Sequence, residues 1–167
     1  MSEESETIVS LESLNQEQKE AVLNNDKRIL ILAGAGSGKT KTIIQKIIYL
    51  IFEKNVDPSN ILAITFTKNA KNEMIDRLIL FSDKDRNYNK IFYDKILPQK
   101  TKDYYRIEYM KKYPWLNNLN IRTFHSLCFG LLRNYGSGEF DNKFKLIDDK
   151  THDDEIDTSI KAPETKK

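Results

Sequence analysis

The residues most able to do chemistry lie together: Ala33-Gly34-Ala35-Gly36-Ser37-Gly38-Lys39-Thr40. Alternating glycines let backbone N–H groups converge on phosphate oxygens, and a helix starting just behind them adds partial positive charge at that point. Lys39 has the length to reach β- and γ-phosphates, and the Thr40 hydroxyl is placed to ligate Mg²⁺. This is the GxxxxGK[ST] pattern of a P-loop, with one departure. Ala33 holds the first position in place of glycine, and its small side chain still fits the turn. A glycine-rich connection with no ligand is the alternative, but the flanks speak against it. Ile29-Leu30-Ile31-Leu32 predicts a strand over 28–33, and a helical pattern begins near Lys41, which is the context the motif requires. The chemistry implied is binding of a nucleoside triphosphate with Mg²⁺.

The elements that must position this turn follow from periodicity. Residues 15–23 predict a short helix with Asn15 as its N-cap. A second helix, about 39–54, places Ile43, Ile44, Ile47, Ile48 and Ile51 on one face. Asp57-Pro58-Ser59-Asn60 reads as a turn and Ile61–Thr65 as a second apolar strand. Two continuously apolar strands separated by a helix predict a βαβ unit in a parallel sheet with helices on both faces. A third helix, about 68–81, aligns Ala70, Met74, Leu78 and Phe81. Near residue 120 a short strand leads to a fourth helix bearing Phe124, Leu127, Cys128, Leu131, Leu132 and Tyr135, ended by Gly136 and Gly138. Cys128 is expected to be a buried thiol on that apolar stripe.

Composition narrows the class further. A chain of 167 residues suggests one domain with a real core, and the net charge of +2 makes no global case for nucleic acid. One cysteine excludes an intramolecular disulfide, and with two histidines it argues against a structural zinc site. The acidic, polar start (Met1–Glu6) is no secretory signal, and no apolar run approaches the roughly 18 residues of a membrane span. The expectation is a soluble chain in the cytoplasm, or in the nucleus for a eukaryotic source.

Three further segments settle which P-loop class this is. Leu14-Asn15-Gln16-Glu17-Gln18-Lys19-Glu20-Ala21-Val22 precedes the P-loop. Ala63-Ile64-Thr65-Phe66-Thr67-Lys68-Asn69-Ala70, running on to Glu73-Met74, follows it. Arg122-Thr123-Phe124-His125-Ser126-Leu127-Cys128 comes later. In this order the four resemble the UvrD/Rep-type superfamily 1 DNA helicases: LNxxQxxAV its Q motif, TFTxxAxxEM its motif Ia, TFHSL its motif Ib. The matches span residues 14–135 and cover the front part of a whole helicase. The resemblance implies a RecA-like P-loop fold, here a partial domain, and an ATP-dependent 3′-to-5′ helicase or translocase as the parent activity. The partner it implies is single-stranded DNA, or duplex with a single-stranded tail.

Residue by residue, the resemblance implies adenine recognition by Gln18 and strand contacts by Phe66, Thr67, Thr123, Phe124 and His125. Each has a plainer alternative. Gln18, three residues after Asn15, could be the back-bonding member of a capping box. Phe66 could be a core aromatic, although its place at a strand's C-terminal end is where open α/β sheets put ligands. Stacking and phosphate contacts both ignore base sequence, as a helicase requires. The family commonly reads Thr-Asn-Lys-Ala where this chain has Thr67-Lys68-Asn69-Ala70, so no individual phosphate contact is assigned to Lys68 or Asn69.

The remaining segments divide as follows. Residues 1–12 read as a flexible lead, 13–150 as the incomplete first ATP-binding lobe, and 151–167 as a polar tail. An insertion at about 82–118 interleaves Tyr88, Phe92, Tyr93, Tyr104, Tyr105, Tyr109, Tyr113 and Trp115 with basic residues. It is either a helical hairpin packed on the domain or a strand-binding surface of rings and charge. The family's acidic motif II, an apolar strand ending in Asp-Glu, is not found. Asp153-Asp154-Glu155-Ile156-Asp157 follows a polar stretch and does not qualify. A second RecA-like lobe with its arginine finger is expected in the parent protein, so the chain alone is expected to bind rather than turn over ATP. A non-catalytic ATP- and DNA-binding module and, more remotely, another P-loop enzyme such as a small kinase are the competing readings.

Overall fold

Local capping starts the helices where the sequence places them. In the computed structural model, which describes residues 11–135, Asn15 Oδ1 accepts from Gln18 N at 2.8 Å. Asn15 N in turn donates to Gln18 Oε1 at 3.1 Å. This capping box opens α1 (Gln16–Leu23). α1 packs on α2 (Lys39–Ile48), which runs on as a π-helical turn over Tyr49–Glu53. Two lysines of α2 fasten the pair. Lys41 Nζ donates to the Ser13 carbonyl, and Lys46 Nζ donates to the carbonyls of Val22, at 2.8 Å, and Asn24. A cation on the last carbonyls of α1 suits the negative end of its dipole. Burial pushes the Lys46 ammonium below its ordinary pKa. Ile44, Ile47, Ile48 and Ile51 are buried as the spacing predicts, whereas Ile43 is half exposed at the edge of the stripe.

After a 3₁₀ turn at Pro58–Asn60 comes β1 (Leu62–Thr65), then α3 (Lys68–Ser82), capped by Thr67 Oγ1 accepting from Ala70 N. The insertion folds as α4 (Asn87–Tyr93), α5 (Gln99–Lys112) and α6 (Pro114–Asn118). Tyr88 and Leu116 from it, with Leu119 just beyond, are buried in the same core as Met74, Ile75, Leu78 and Ile79 of α3. The chain returns as β2 (Asn120–Thr123) and ends its described course in α7 (Phe124–Tyr135). β2 pairs parallel with β1, in the register Leu62↔Asn120, Ala63↔Ile121, Ile64↔Arg122 and Thr65↔Thr123. Parallel strands need a crossover, and α3 to α6 supply it. α3 packs on both strands. Ala63, Ile121 and Thr123 are buried, while Leu62 and Ile64, on the other face, are about half exposed. The class is α/β, mostly helical with a small parallel sheet.

Two expectations need correction. Residues 28–33 form no strand: the described sheet pairs β1 with β2, and among the described residues no backbone group bonds to the run Ile29–Leu32. Apolar content predicts where a strand would be buried, but a strand exists only through a hydrogen-bonding neighbour. Leu30 and Leu32 are accordingly 84% and 88% exposed. The apolar stripe of α7 is likewise uncovered at Phe124, Leu131, Leu132 and Tyr135, and Cys128 is half-buried rather than sealed in a core. Gly136, Gly138 and Asp153–Asp157 lie outside the described residues. The chain divides into two compact units, Met1–Leu127 and Cys128–Lys167. Among the described residues no helix is long and apolar enough to cross a membrane.

Candidate nucleotide and nucleic-acid site

The glycine-rich turn is tightened from inside, with Ser37 Oγ donating to the Gly34 carbonyl at 2.8 Å. Gly36 and Gly38 hold φ at +76° and +85°, a region that penalises any residue with a Cβ. Gly38 is doubly constrained, because a Cβ there would stand 2.7 Å from Gln18 Nε2. At Gly34 and Gly36 a Cβ would meet nothing within 4 Å, so the space beside the loop backbone is open. α2 starts at once behind it. Its cap, Gly38, contributes no side-chain hydrogen bond, which leaves the first-turn N–H groups for an anion.

Lys39 lies across this mouth. Its Nζ donates to the carbonyls of Ala33 at 3.0 Å and Gly34 at 2.5 Å. Phosphate oxygens would make stronger, charge-assisted bonds than these neutral carbonyls. Thr40, the next residue, is half-buried in the first turn of α2. Open backbone, a helix start and a lysine folded over them fit a polyphosphate, and Ala33, Ala35 and Ser37 complete the loop without obstructing it.

Gln18 does two jobs. The capping box is formed, as the plainer alternative supposed, and Nε2 also donates to the Ser37 carbonyl at 2.9 Å. A carboxamide has two N–H groups and two lone pairs. Cap and loop use one of each, leaving one donor and one acceptor for a further partner. The link between α1 and the P-loop has no signature in sequence beyond the glutamine itself.

The second group of predicted residues meets at the strand ends. Because Thr65 and Thr123 are partners in the parallel register, Phe66-Thr67 and Phe124-His125 emerge side by side. Phe66 is 77% exposed, which removes the core-aromatic alternative. Its ring stands 6.0 Å from that of His125 in an edge-on arrangement, and Phe124 lies 6.3 Å from His125. Exposed rings in a row offer bases a stacking surface. The two threonine hydroxyls are also used within the chain. Thr67 Oγ1 caps α3, and the buried Thr123 Oγ1 accepts from Ser126 N at 3.2 Å, starting α7. Each hydroxyl keeps its own O–H free to donate to a further partner.

Sequence reasoning missed the anchor that holds the insertion. Asp76 of α3 receives Arg106 Nε at 2.6 Å, Arg106 Nη2 at 2.9 Å and the Tyr88 hydroxyl at 2.6 Å. All three residues are buried. Burial, then the bond to the Asp76 carboxylate, pushes the Tyr88 phenol far above its usual pKa. Burial works against the Arg106 charge, but its bonds to Asp76 and Asp103 outweigh that and keep it protonated. Asp76 and Arg106 lie 30 residues apart, so no local pattern reveals the pair.

Comparison with known proteins identifies the family. The family model of the UvrD/REP helicase N-terminal domain matches residues 14–167. A probable DNA helicase II homolog of Mycoplasma capricolum is 40% identical over 139 residues, covering 83% of this chain and 15% of that protein. The ATP-dependent DNA helicase PcrA of Bacillus subtilis is 38% identical over 123 residues, 74% of this chain and 13% of its own length. Staphylococcus aureus PcrA reaches 52% identity over a shorter stretch of 68 residues. The chain thus spans less than a fifth of the length of these relatives.

Proposed function

The chain belongs to the UvrD/REP helicase N-terminal domain family, and on that footing we propose that it is the ATP- and strand-gripping front of a longer 3′-to-5′ DNA helicase, acting in the cytoplasm. The Gly34–Gly38 backbone and Lys39 hold the phosphates, Thr40 holds Mg²⁺, and the spare donor and acceptor of Gln18 read the adenine edge. Bound ATP supplies the phosphoanhydride whose hydrolysis drives the motor. Phe66, Phe124 and His125 form the ridge crossed by single-stranded DNA, or by the tail of a duplex, with Thr67 and Thr123 beside it. A second RecA-like lobe closes over the nucleotide and completes catalysis, so this chain by itself binds without appreciable turnover.

The observation that carries the reading is the Thr65↔Thr123 register, which joins two motifs 58 residues apart in sequence into one exposed ring surface. It is tested in the full-length protein with Phe66→Ala and His125→Ala. Each variant is expected to weaken single-strand binding about 10-fold, given about 1–3 kcal/mol per stacked base, and to depress DNA-stimulated ATPase activity. Nucleotide affinity without DNA should stay at the parent value. Parent-like DNA affinity in both variants would remove the ridge from the DNA path.

A further inference from the structure

The insertion carries nine Lys and Arg against five Asp and Glu between residues 83 and 118, a net +4 in a chain whose total is +2. Charge is therefore concentrated where the four motifs are not. The packed-hairpin reading accounts for five of its eight aromatic rings. Tyr88 is in the core, and Phe92, Tyr109, Tyr113 and Trp115 pack against it. It leaves out three: Tyr93 is 69% exposed, Tyr104 60% and Tyr105 37%. Lys90, Lys95 and Lys100 are also exposed, and among the described residues none of them makes an ion pair. Helical spacing puts Lys90 on the side of Tyr93 in α4 and Lys100 on the side of Tyr104 in α5. Rings beside unpaired cations are the equipment of a surface that stacks bases and tracks phosphates.

The position matters as much as the composition. A groove of about 210 Å³ lies between the first turns of α3 and the insertion, lined by Asn69, Asn72, Glu73, Phe92, Gln99 and Lys102 together with the paired Asp76 and Arg106. Asn69 is two residues beyond Thr67, where the Phe66 ridge ends. We propose that the insertion is a second surface for single-stranded DNA, continuing the path that begins on Phe66. The proposal rests on the ridge reading above for its starting point, while its residues are separate. The Asp76–Arg106–Tyr88 anchor fixes this surface to α3, so strand bound there stays in register with strand on the ridge.

The test uses the 167-residue chain at low salt with two oligothymidylates, of about 6 and about 20 nucleotides. Lys90→Ala, Lys95→Ala and Lys100→Ala are combined in one variant, Tyr93→Ala and Tyr104→Ala in another. Both are expected to lose about 10-fold in affinity for the long oligomer and nothing for the short one. The lysine variant should also lower the slope of log affinity against log salt by about 2, for three phosphates released. Phe66→Ala should weaken both lengths. An effect of the insertion variants without an effect of Phe66→Ala would keep the second surface and discard the ridge. Unchanged long-oligomer affinity and salt slope in the insertion variants, or no binding by the parent, would overturn the proposal and leave the surface to a protein partner.

Discussion

Gly38 shows how narrow the choice of residue is in the phosphate loop. Its φ of +85° and the 2.7 Å approach of Gln18 Nε2 to a hypothetical Cβ act together. Gly34 has neither constraint. Gly38→Ala should therefore cost about 1–2 kcal/mol of stability, seen as a lower urea midpoint, while Gly34→Ala should leave the midpoint close to the parent value. Equal midpoints for the two variants would mean that neither the backbone angle nor the Gln18 contact constrains this position. Local features at this scale were legible in sequence: the capping box forms at Asn15 and Gln18, α2 starts at Lys39, and Phe66 stands exposed at the end of its strand. The cap that Thr123 makes to Ser126 N was not, because it depends on the backbone at one turn.

Elements were legible where a single segment decides its own structure. Capping residues and apolar spacing set α1, α2 and α3, and the short strand near residue 120 appears as β2. The stretch 28–33 was misread because a strand is a property of a pair, and its apolar residues carry no record of their neighbour. The insertion is the converse case: its helices are irregular in pattern, yet a buried network of Asp76, Arg106 and Tyr88 holds them. Asp76→Ala would leave the Arg106 guanidinium buried without its main partner, at a cost of about 3–5 kcal/mol. Replacing both, with Asp76→Leu and Arg106→Met, should recover much of that loss, since no charge is then buried unpaired. The check is chemical denaturation of the three proteins. A double variant as unstable as Asp76→Ala would show that packing volume, rather than the buried charge, dominates at this anchor.

At the scale of the whole molecule, sequence order already contained the family, because four motifs in fixed succession are hard to produce by chance. What it did not contain is their meeting in space. That depends on the parallel register of β1 and β2, with α3 to α6 as the crossover between them. The central claim is that the glycine-rich turn is a phosphate site served by Lys39. Its most direct test is titration of a fluorescent ATP analogue with Mg²⁺ into the 167-residue chain and into Lys39→Ala. Among the described residues the ammonium bonds only loop carbonyls, so its removal should leave the fold intact. Affinity should fall by about 10- to 100-fold, the worth of charge-assisted hydrogen bonds to phosphate. Equal affinity in parent and variant, both folded, would contradict the phosphate-site assignment.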